Sequence, residues 1–301
     1  MYRAGTESRG LKIGEMRDLC AEADLLLIRG VPFIVWRPEY DLPRRRAFID
    51  VDPIETQLLS DGLVYVRIKA FQDGTARQLS DALDDAVVEL RRRGGVRGIL
   101  LDLRDNGGGL LHEAVWVSDE FLASGVIVST RGRGGETISQ YSARRAGTRP
   151  KWPIVVLINE NTASASEIVA GALRDHQRAV LVGVRTFGKG SVQNVFELPG
   201  GSAIKLTTYL YFAPSGRSIQ AEGISPDLIA EQAREDEALE PLREEQLEGH
   251  LAASPRGTAS VAGRRTSEKQ APRVSGTVPP LFAEDSQGQR GLVVLRARLG
   301  K

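Results

Sequence analysis

Short apolar runs alternate with stretches of helical apolar spacing from residue 62 to about residue 230, and this alternation limits the fold most. Each run has the length of a buried strand. The strand candidates are residues 64–68, 96–103, 153–159 and 179–182. Strands that alternate with helices are typical of a sheet covered by helices, so we predict an α/β fold.

The helices of this region carry their own signals. Thr75 followed by Gln78 forms a capping box, and the helix it opens presents one apolar face. That face consists of Leu79, Leu83, Ala86, Val87 and Leu90. Residues 105–109, Asp-Asn-Gly-Gly-Gly, separate a strand from a second helical pattern at 111–121. Apolar runs at 192–198 and 202–212 flank Pro-Gly-Gly and predict a β-hairpin.

The two ends of the chain differ from this central region. Residues 16–29 have helical apolar spacing, and residues 33–36 and 47–51 are strand-like runs around a turn region rich in Pro and Arg. After Glu231 the composition shifts to Glu, Arg, Ser, Gly and Pro. We therefore expect residues 231–301 to be a largely flexible extension, with a short apolar piece at 292–299.

Charge and cysteine content exclude several classes of function. Forty basic residues against 39 acidic ones leave a net charge of +1, which gives no reason to expect a nucleic acid partner. Cys20 is the only cysteine, so the chain has no internal disulfide and no cysteine-based zinc cluster. Residues 1–17 are polar and residues 23–36 are interrupted by Arg, Gly and Pro, so we predict neither a signal peptide nor a transmembrane segment.

Ser164 lies in the turn that follows the strand candidate 153–159 and precedes a helical pattern. A serine in this position often only caps the helix. Free backbone N–H groups at a helix start also favour an alkoxide and bind an oxyanion, and Ala165 would supply the nearest donor. Ser164 is therefore a candidate nucleophile.

A serine nucleophile needs a base, and the three histidines are poor candidates: His112, His176 and His250. A lysine serves instead when burial keeps its amine uncharged. Lys189 is flanked by glycines and apolar residues rather than charges, and Gln193, four residues on, would face the same side and orient the amine. A phosphate-binding loop is the alternative, but the Walker spacing is not met.

The triple glycine at 107–109 permits a close approach of the backbone. Gly108 or Gly109 is the candidate for a second oxyanion donor. A plain tight turn is the alternative, and no dinucleotide-binding fingerprint starts from these residues.

Four motifs together resemble the C-terminal processing, or tail-specific, serine peptidases. They are Leu-Asp-Leu-Arg-Asp-Asn-Gly-Gly-Gly at 101–109, Ser-Ala-Ser-Glu-Ile at 164–168, residues 186–193, and Pro-Ser-Gly-Arg-Ser-Ile-Gln at 214–220. The resemblance covers about residues 25–230. It implies a ClpP/crotonase-like β/α core and a serine endopeptidase that cleaves protein or peptide substrates near their C-termini and uses no metal or other cofactor.

The resemblance also implies roles for individual residues. Ser164 corresponds to the nucleophile, Lys189 to the base and Gln193 to the residue that positions the lysine. The oxyanion donors would be the backbone of Ala165 and that of Gly108 or Gly109.

The chain departs from the family pattern at its start. Residues 1–52 would form a truncated PDZ-like segment, since residues 16–51 resemble only the last helix and strands of such a domain, and residues 53–230 would form the peptidase core. We expect either a truncated product or a reduced family member. The resemblance implies a periplasmic or other extracytoplasmic location, whereas a true start at Met1 would imply the cytoplasm.

Two other classes of function stay open on the sequence alone. One is an inactive peptide-binding or assembly protein that keeps the peptidase scaffold but is held inactive by the incomplete PDZ-like segment. With either function, an adaptor or a second copy of the chain is a candidate partner. The other is an acyl-CoA enzyme with a similar glycine-lined oxyanion turn, which predicts no dependence on Lys189.

Overall fold

The computed structural model describes residues 25–28, 31–34, 52–198, 202–232, 242–252 and 278–299. The chain divides into two compact units, residues 1–52 and residues 53–301. Among these described residues, no helix is long and apolar enough to cross a bilayer.

The first unit is described by two strands, β1 (Leu25–Ile28) and β2 (Val31–Ile34), which pair antiparallel. The helix predicted over residues 16–29 is therefore wrong for residues 25–28. Four consecutive apolar residues are compatible with a strand as well as with a helix. A connection of two residues to a second apolar run then favours a β-hairpin. The strands expected at 35–36 and 47–51 lie outside the described residues, and the PDZ-like segment stays a prediction.

The second unit contains the remaining elements. In chain order they are β3 (Ile54–Leu58), β4 (Leu63–Ile68), α1 (Thr75–Leu90), β5 (Gly98–Asp102), α2 (Leu111–Asp119), β6 (Val126–Arg131), β7 (Thr137–Ser142), β8 (Ile154–Ile158), α3 (Ala165–Asp175), β9 (Val180–Gly183), β10 (Ser191–Glu197), β11 (Ala203–Phe212), β12 (Leu228–Ile229) and α4 (Ser286–Leu299). Short 3₁₀ turns occur at Ser60–Gly62, Arg91–Arg93, Glu244–Gln246 and Pro280–Phe282.

A six-stranded sheet with the order β12-β9-β8-β5-β4-β3 forms the centre of this unit. Its strands run parallel except for β3, which is antiparallel to β4. All residues of β5 and β8 are buried, as expected for strands covered on both faces. The predicted α/β fold is confirmed.

Helices cover the two faces of this sheet, so successive residues of β5 contribute to two separate cores. Ile99 packs in the larger core with α1 and α3, whereas Leu100 packs in the smaller core with α4. Because side chains alternate along a strand, both faces of β5 have to be apolar. This explains the continuous apolar runs in the sequence.

Helix α4 corrects the prediction of a largely flexible extension over residues 231–301. Leu292 and Leu295 are buried in the smaller core, together with Phe282. A Cβ atom on Gly291 would lie only 2.6 Å from Leu157 Cδ2, so the helix packs closely on β8. The apolar piece at 292–299 is thus one face of a packed helix, and flexibility of residues 253–277 stays a prediction.

A second, antiparallel sheet has the order β10-β11-β6-β7. Strands β10 and β11 pair along their length, which confirms the hairpin predicted around residues 199–201. Strand β10 begins two residues after Lys189. The hairpin therefore starts beside the loop that carries the candidate base.

Candidate active site

Ser164 immediately precedes α3, at the end of the turn after β8. Its backbone has φ 56° and ψ −116°, a conformation that residues other than glycine seldom adopt. Its neighbours Ala163 and Ala165 are buried while Ser164 is half-buried. The strand, turn and helix predicted around the serine are confirmed, and the sharp turn exposes part of this residue at the helix start.

The first N–H groups of α3 are the natural donors for an oxyanion. The N–H groups of Glu167 and Ile168 bond to the carbonyl oxygen of Ser164. Within the described residues, the N–H of Ala165 has no acceptor. This N–H is therefore one of the unpaired donors that every helix start presents.

The glycine turn lies directly against the serine. Gly108 has φ 99°, and a Cβ atom on it would lie 2.8 Å from Ala165 N and 2.8 Å from Ser164 Cβ. Such distances leave no room for a side chain, so glycine is required here for close approach as well as for backbone conformation. The turn is thus close enough to the serine to take part in the same site.

The two candidate donors of the turn differ in their hydrogen bonds. The N–H of Gly108 donates to Asn106 Oδ1 at 2.8 Å, and Asn106 is buried. No acceptor for the N–H of Gly109 occurs in the part of the chain that the structure describes. Gly109 therefore has an N–H group that is free to bind an oxyanion, whereas Gly108 is the residue in close contact with Ser164.

Lys189 is exposed, contrary to the expectation of a buried amine. Its side chain makes no hydrogen bond or ion pair with any described residue. The flanking glycines have another cause: a Cβ atom on Gly190 would lie 2.3 Å from Gln220 N, and one on Gly188 would lie 3.2 Å from Gly223 N. Small residues thus surround Lys189 because the backbone packs tightly, and they do not bury the lysine side chain.

Gln193 lies in β10 and is exposed. Gln193 would face the same side as Lys189 only if side chains alternated between the two faces of one continuous strand from residue 189 to residue 193. Strand β10 begins only at Ser191, and its register shifts between Val192 and Gln193. Alternation is therefore interrupted twice, and the role of Gln193 stays a prediction.

Sequence reasoning missed Glu167, which links the serine to the lysine loop. Its Oε2 atom accepts hydrogen bonds from the backbone N–H groups of Ser164, at 2.8 Å, and Lys189, at 2.9 Å. The two nitrogens are thus no farther apart than the sum of these distances, 5.7 Å. Ser164 and Glu167 have the Ser-x-x-Glu spacing of a capping box, which was the available signal.

The other oxygen of Glu167 bonds to the same loop. Oε1 accepts from the N–H of Gly188, at 2.8 Å, and from the hydroxyl of Thr186. The carboxyl group is fully buried. Burial, the largest influence, raises the pKa of Glu167 to about 7, while the four hydrogen bonds act in the opposite direction.

The three histidines have partners elsewhere, as the sequence suggests. His112 stacks edge-on against Trp116, His176 bonds to the carbonyl oxygen of Val126, and the ring of His250 lies 3.0 Å from the carbonyl oxygen of Leu247. None of these contacts involves Ser164. A serine–histidine pair therefore has no support in the described residues.

One group of side chains has the composition of a metal site: Asp73, His112 and Glu113 offer ligand atoms within 4.8 Å of one another. Both oxygens of Glu113 are already bonded, to the N–H groups of Gly74 and Ala76 at the start of α1. This carboxylate caps a helix, and the cap explains its burial without an ion.

The site and the fold together define a class of protein: an α/β domain of the serine peptidase type, with a serine at a helix start against a glycine-lined turn. The chain belongs to peptidase family S41, whose model matches residues 62–230. This match covers more than half of the 301 residues. Together with relatives that are named carboxy-terminal-processing proteases, it confirms the resemblance to C-terminal processing peptidases.

Individual relatives agree with this assignment. A carboxy-terminal-processing protease of Bartonella bacilliformis is 41% identical over 228 residues, which are 74% of this chain and 52% of the relative. A carboxyl-terminal-processing protease of Synechocystis is 38% identical over 191 residues, or 62% of this chain and 43% of the relative. The solved structure of a photosystem II D1 C-terminal processing protease matches with a TM-score of 0.52 and 34% identity, over 61% of this chain and 49% of that one. The chain spans about half the length, or less, of these relatives.

Proposed function

We propose that the protein is a serine endopeptidase that cleaves polypeptides near their C-termini, with Ser164 as nucleophile and Lys189 as base. The main support is the shared acceptor: one oxygen of Glu167 bonds to the main chains of both residues. Their backbone nitrogens are at most 5.7 Å apart by those two distances. A lysine has a flexible four-carbon stem, whose length is sufficient for its amine to span this separation, and we propose that the side chain turns towards the serine hydroxyl when substrate binds.

The reaction is acyl transfer in two stages. The uncharged amine of Lys189 takes the proton of the Ser164 hydroxyl while Oγ attacks the carbonyl carbon of the scissile peptide bond. The lysine then gives that proton to the leaving nitrogen, and the C–N bond breaks. In the second stage the amine deprotonates a water molecule, whose oxygen attacks the acyl carbon. The bond between that carbon and Oγ then breaks, and Oγ takes the proton from the lysine, which restores Ser164 and the uncharged amine.

The developing oxyanion needs donors that are free and preorganised. We assign this role to the N–H groups of Ala165 and Gly109, because neither has an acceptor among the described residues. Gly108 is the residue whose missing side chain allows the turn to approach Ser164. Asn106 holds this turn, since it accepts from the N–H of Gly108 and donates to the carbonyl oxygen of Ile68.

The exposed position of Lys189 sets a condition on this mechanism. A lysine acts as a general base only when its amine is uncharged, and burial away from water favours the uncharged form of an amine. We propose that the bound substrate covers Lys189 and provides this burial. Gln193, in the strand that follows, would then accept a hydrogen bond from the lysine and orient it.

Substrate class, partners and location are part of this proposal. A C-terminal preference follows from the resemblance and from relatives whose names describe carboxy-terminal processing. Placement outside the cytoplasm follows from the resemblance alone. An adaptor or a second copy of the chain is the partner we propose for substrate delivery.

A serine-directed fluorophosphonate probe and a peptide substrate test the proposal. We expect the purified protein to label at Ser164 and to cleave the peptide, and both activities to disappear in Ser164→Ala. Lys189→Ala should lose turnover as well. Undiminished cleavage by either variant would rule out the pair, and a folded wild-type protein that neither labels nor cleaves would favour an inactive peptide-binding protein.

A further inference from the structure

The buried carboxylate of Glu167 joins two segments that are separate in sequence. Ser164 belongs to the turn before α3, whereas Thr186, Gly188 and Lys189 belong to the loop between β9 and β10. All four donate hydrogen bonds to the one carboxylate. The segment with the proposed nucleophile and the segment with the proposed base are thus joined by one side chain, in addition to the backbone bond from the N–H of Phe187 to the carbonyl oxygen of Thr162.

This arrangement goes beyond helix capping. In a capping box the glutamate side chain accepts a single bond, here the one from the N–H of Ser164. The other three bonds all come from the lysine loop. Burying a charged carboxylate is costly unless hydrogen bonds compensate it, and three of the four compensating bonds come from the lysine loop.

We propose that Glu167 is a positioning residue: its ionised carboxylate fixes the main chain of Lys189 relative to that of Ser164. The inference rests on the proposed function, since it assumes that these two residues react together. Glu167 touches neither the substrate nor the transferred proton. It acts through the two backbones that it binds.

The negative charge is essential to this role because every partner is a donor. An ionised carboxylate only accepts hydrogen bonds, and its two oxygens accept four of them here. A glutamine of the same shape would turn its NH₂ group towards either the N–H of Gly188 or the N–H groups of Ser164 and Lys189. Two opposed donors repel, so the loop would move away from the serine.

Thr186 extends the connection to a third segment. Its hydroxyl donates to Glu167 and accepts from the N–H of Ile224 at 2.7 Å. Thr186 is itself buried. A chain of hydrogen bonds therefore runs from Ile224 through Thr186 to the carboxylate, and it limits the movement of the lysine loop.

The test compares Glu167→Gln with a matched control, Asp227→Asn. Asp227 is also a carboxylate that joins two segments: it accepts from Arg174 of α3 and from the N–H of Leu181 in β9. It has no bond to Ser164 or Lys189. Circular dichroism and chemical unfolding establish that both variants fold and how much stability each loses.

The first readout is the rate of fluorophosphonate labelling at Ser164, together with kcat and KM for a peptide. We expect Glu167→Gln to lower the labelling rate and kcat by at least about tenfold with little change in KM, while Asp227→Asn keeps kcat near that of the wild type. Equal losses in the two variants, or wild-type kcat in Glu167→Gln, would overturn the proposal.

The second readout does not depend on activity. Hydrogen exchange measured by mass spectrometry should be faster in Glu167→Gln for peptides that cover residues 162–168 and 184–191, and unchanged there in Asp227→Asn. Unchanged exchange in both peptides of Glu167→Gln would overturn the positioning role even if the wild type proved inactive. An inactive wild type with faster exchange would instead contradict the proposed peptidase function alone.

If Glu167→Gln does not fold, Thr186→Val and Thr186→Ser replace it. Thr186→Val removes one of the four donors, and Thr186→Ser keeps the hydroxyl. We expect the valine variant to label more slowly and the serine variant to regain most of the rate. Equal labelling rates in the two would contradict the proposal.

Discussion

The backbone nitrogens of Ser164 and Lys189 bond to the same oxygen atom of Glu167, at 2.8 and 2.9 Å. A side chain that only stabilised α3 would have no reason to bind the lysine loop. The close placement of these two residues is therefore a property of the backbone, and it does not depend on where the lysine amine points.

Lys189→Arg should be as inactive as Lys189→Ala in peptide cleavage. Arginine keeps the positive charge and much of the length, but its guanidinium group does not lose a proton in proteins. The free energy of unfolding of both variants should lie within about 0.5 kcal/mol of that of the wild type, because the replaced side chain is exposed. Activity in the arginine variant would mean that the lysine contributes charge rather than a base.

Gly108→Ala should abolish activity and destabilise the protein by about 1–3 kcal/mol. The new Cβ would lie 2.8 Å from both Ala165 N and Ser164 Cβ, on a residue with φ 99°. Gly107→Ala is the matched control, because a Cβ there meets nothing within 4 Å. Urea unfolding and peptide cleavage measure the two effects, and equal losses in both variants would contradict the contact argument.

The pKa of Glu167 predicts opposite trends for stability and activity. Burial raises this pKa from 4.5 to about 7, so between these two pH values the folded protein binds more protons than the unfolded chain. The free energy of unfolding should therefore fall as the pH rises from 4.5 to 7, by on the order of 3 kcal/mol. Activity should rise over the same range, because only the ionised carboxylate accepts four hydrogen bonds.

Urea unfolding at a series of pH values, with Glu167→Gln as the reference, isolates this contribution from that of other groups. The difference between the two proteins should change most between pH 4.5 and 7 and level off as the pH rises further above the pKa of the folded state. A constant difference throughout would show that the pKa of Glu167 is the same in the folded protein and in the unfolded chain.

Asp285→Asn should destabilise the protein by about 1–3 kcal/mol, because it leaves Arg104 with one carboxylate instead of two. Arg104 is largely buried and bonds to Asp102, at 2.7 Å, and to Asp285, at 2.6 Å. Burial opposes ionisation of Asp285, yet its bonds to Arg104 hold its pKa below the ordinary value. The pair connects the segment before α4 to residues just ahead of the glycine turn.

The exposed pair of Arg77 and Asp81 provides the control for this measurement. Asp81→Asn should change the free energy of unfolding by less than about 0.5 kcal/mol, since both side chains are in solvent. Similar losses in Asp285→Asn and Asp81→Asn would show that Arg104 does not need its second partner.

Much of the fold was predictable because the sheet is buried on both sides. Only apolar residues fit such strands, which is why β5 and β8 stand out as continuous apolar runs. The turn around the serine was predictable for a related reason. The apolar run of the buried strand ends just before the polar turn, and helical apolar spacing begins just after it, so the sequence itself marks both ends of the turn. The helix predicted over residues 16–29 was wrong for residues 25–28, because four consecutive apolar residues have neither helical nor strand periodicity.

The details of the site were harder to predict because they depend on contacts between distant segments. The glycines beside Lys189 suggested burial, whereas they allow the backbone to pack against residues 219–223. The register shift after Val192 interrupts the alternation assumed for Gln193. The four bonds of Glu167 come from two segments, so its spacing to Ser164 indicated only a cap.

Helix α4 also has a consequence for how this protein matures. Leu100 in β5 and Leu157 in β8 are synthesised long before Leu292 and Leu295, which cover them. Until that late segment arrives, one side of the sheet presents bare leucine side chains to water, and bringing distant parts of a chain together is slow. Chaperones that bind apolar surfaces should therefore recognise this domain during synthesis, on the face of the sheet that α4 later covers.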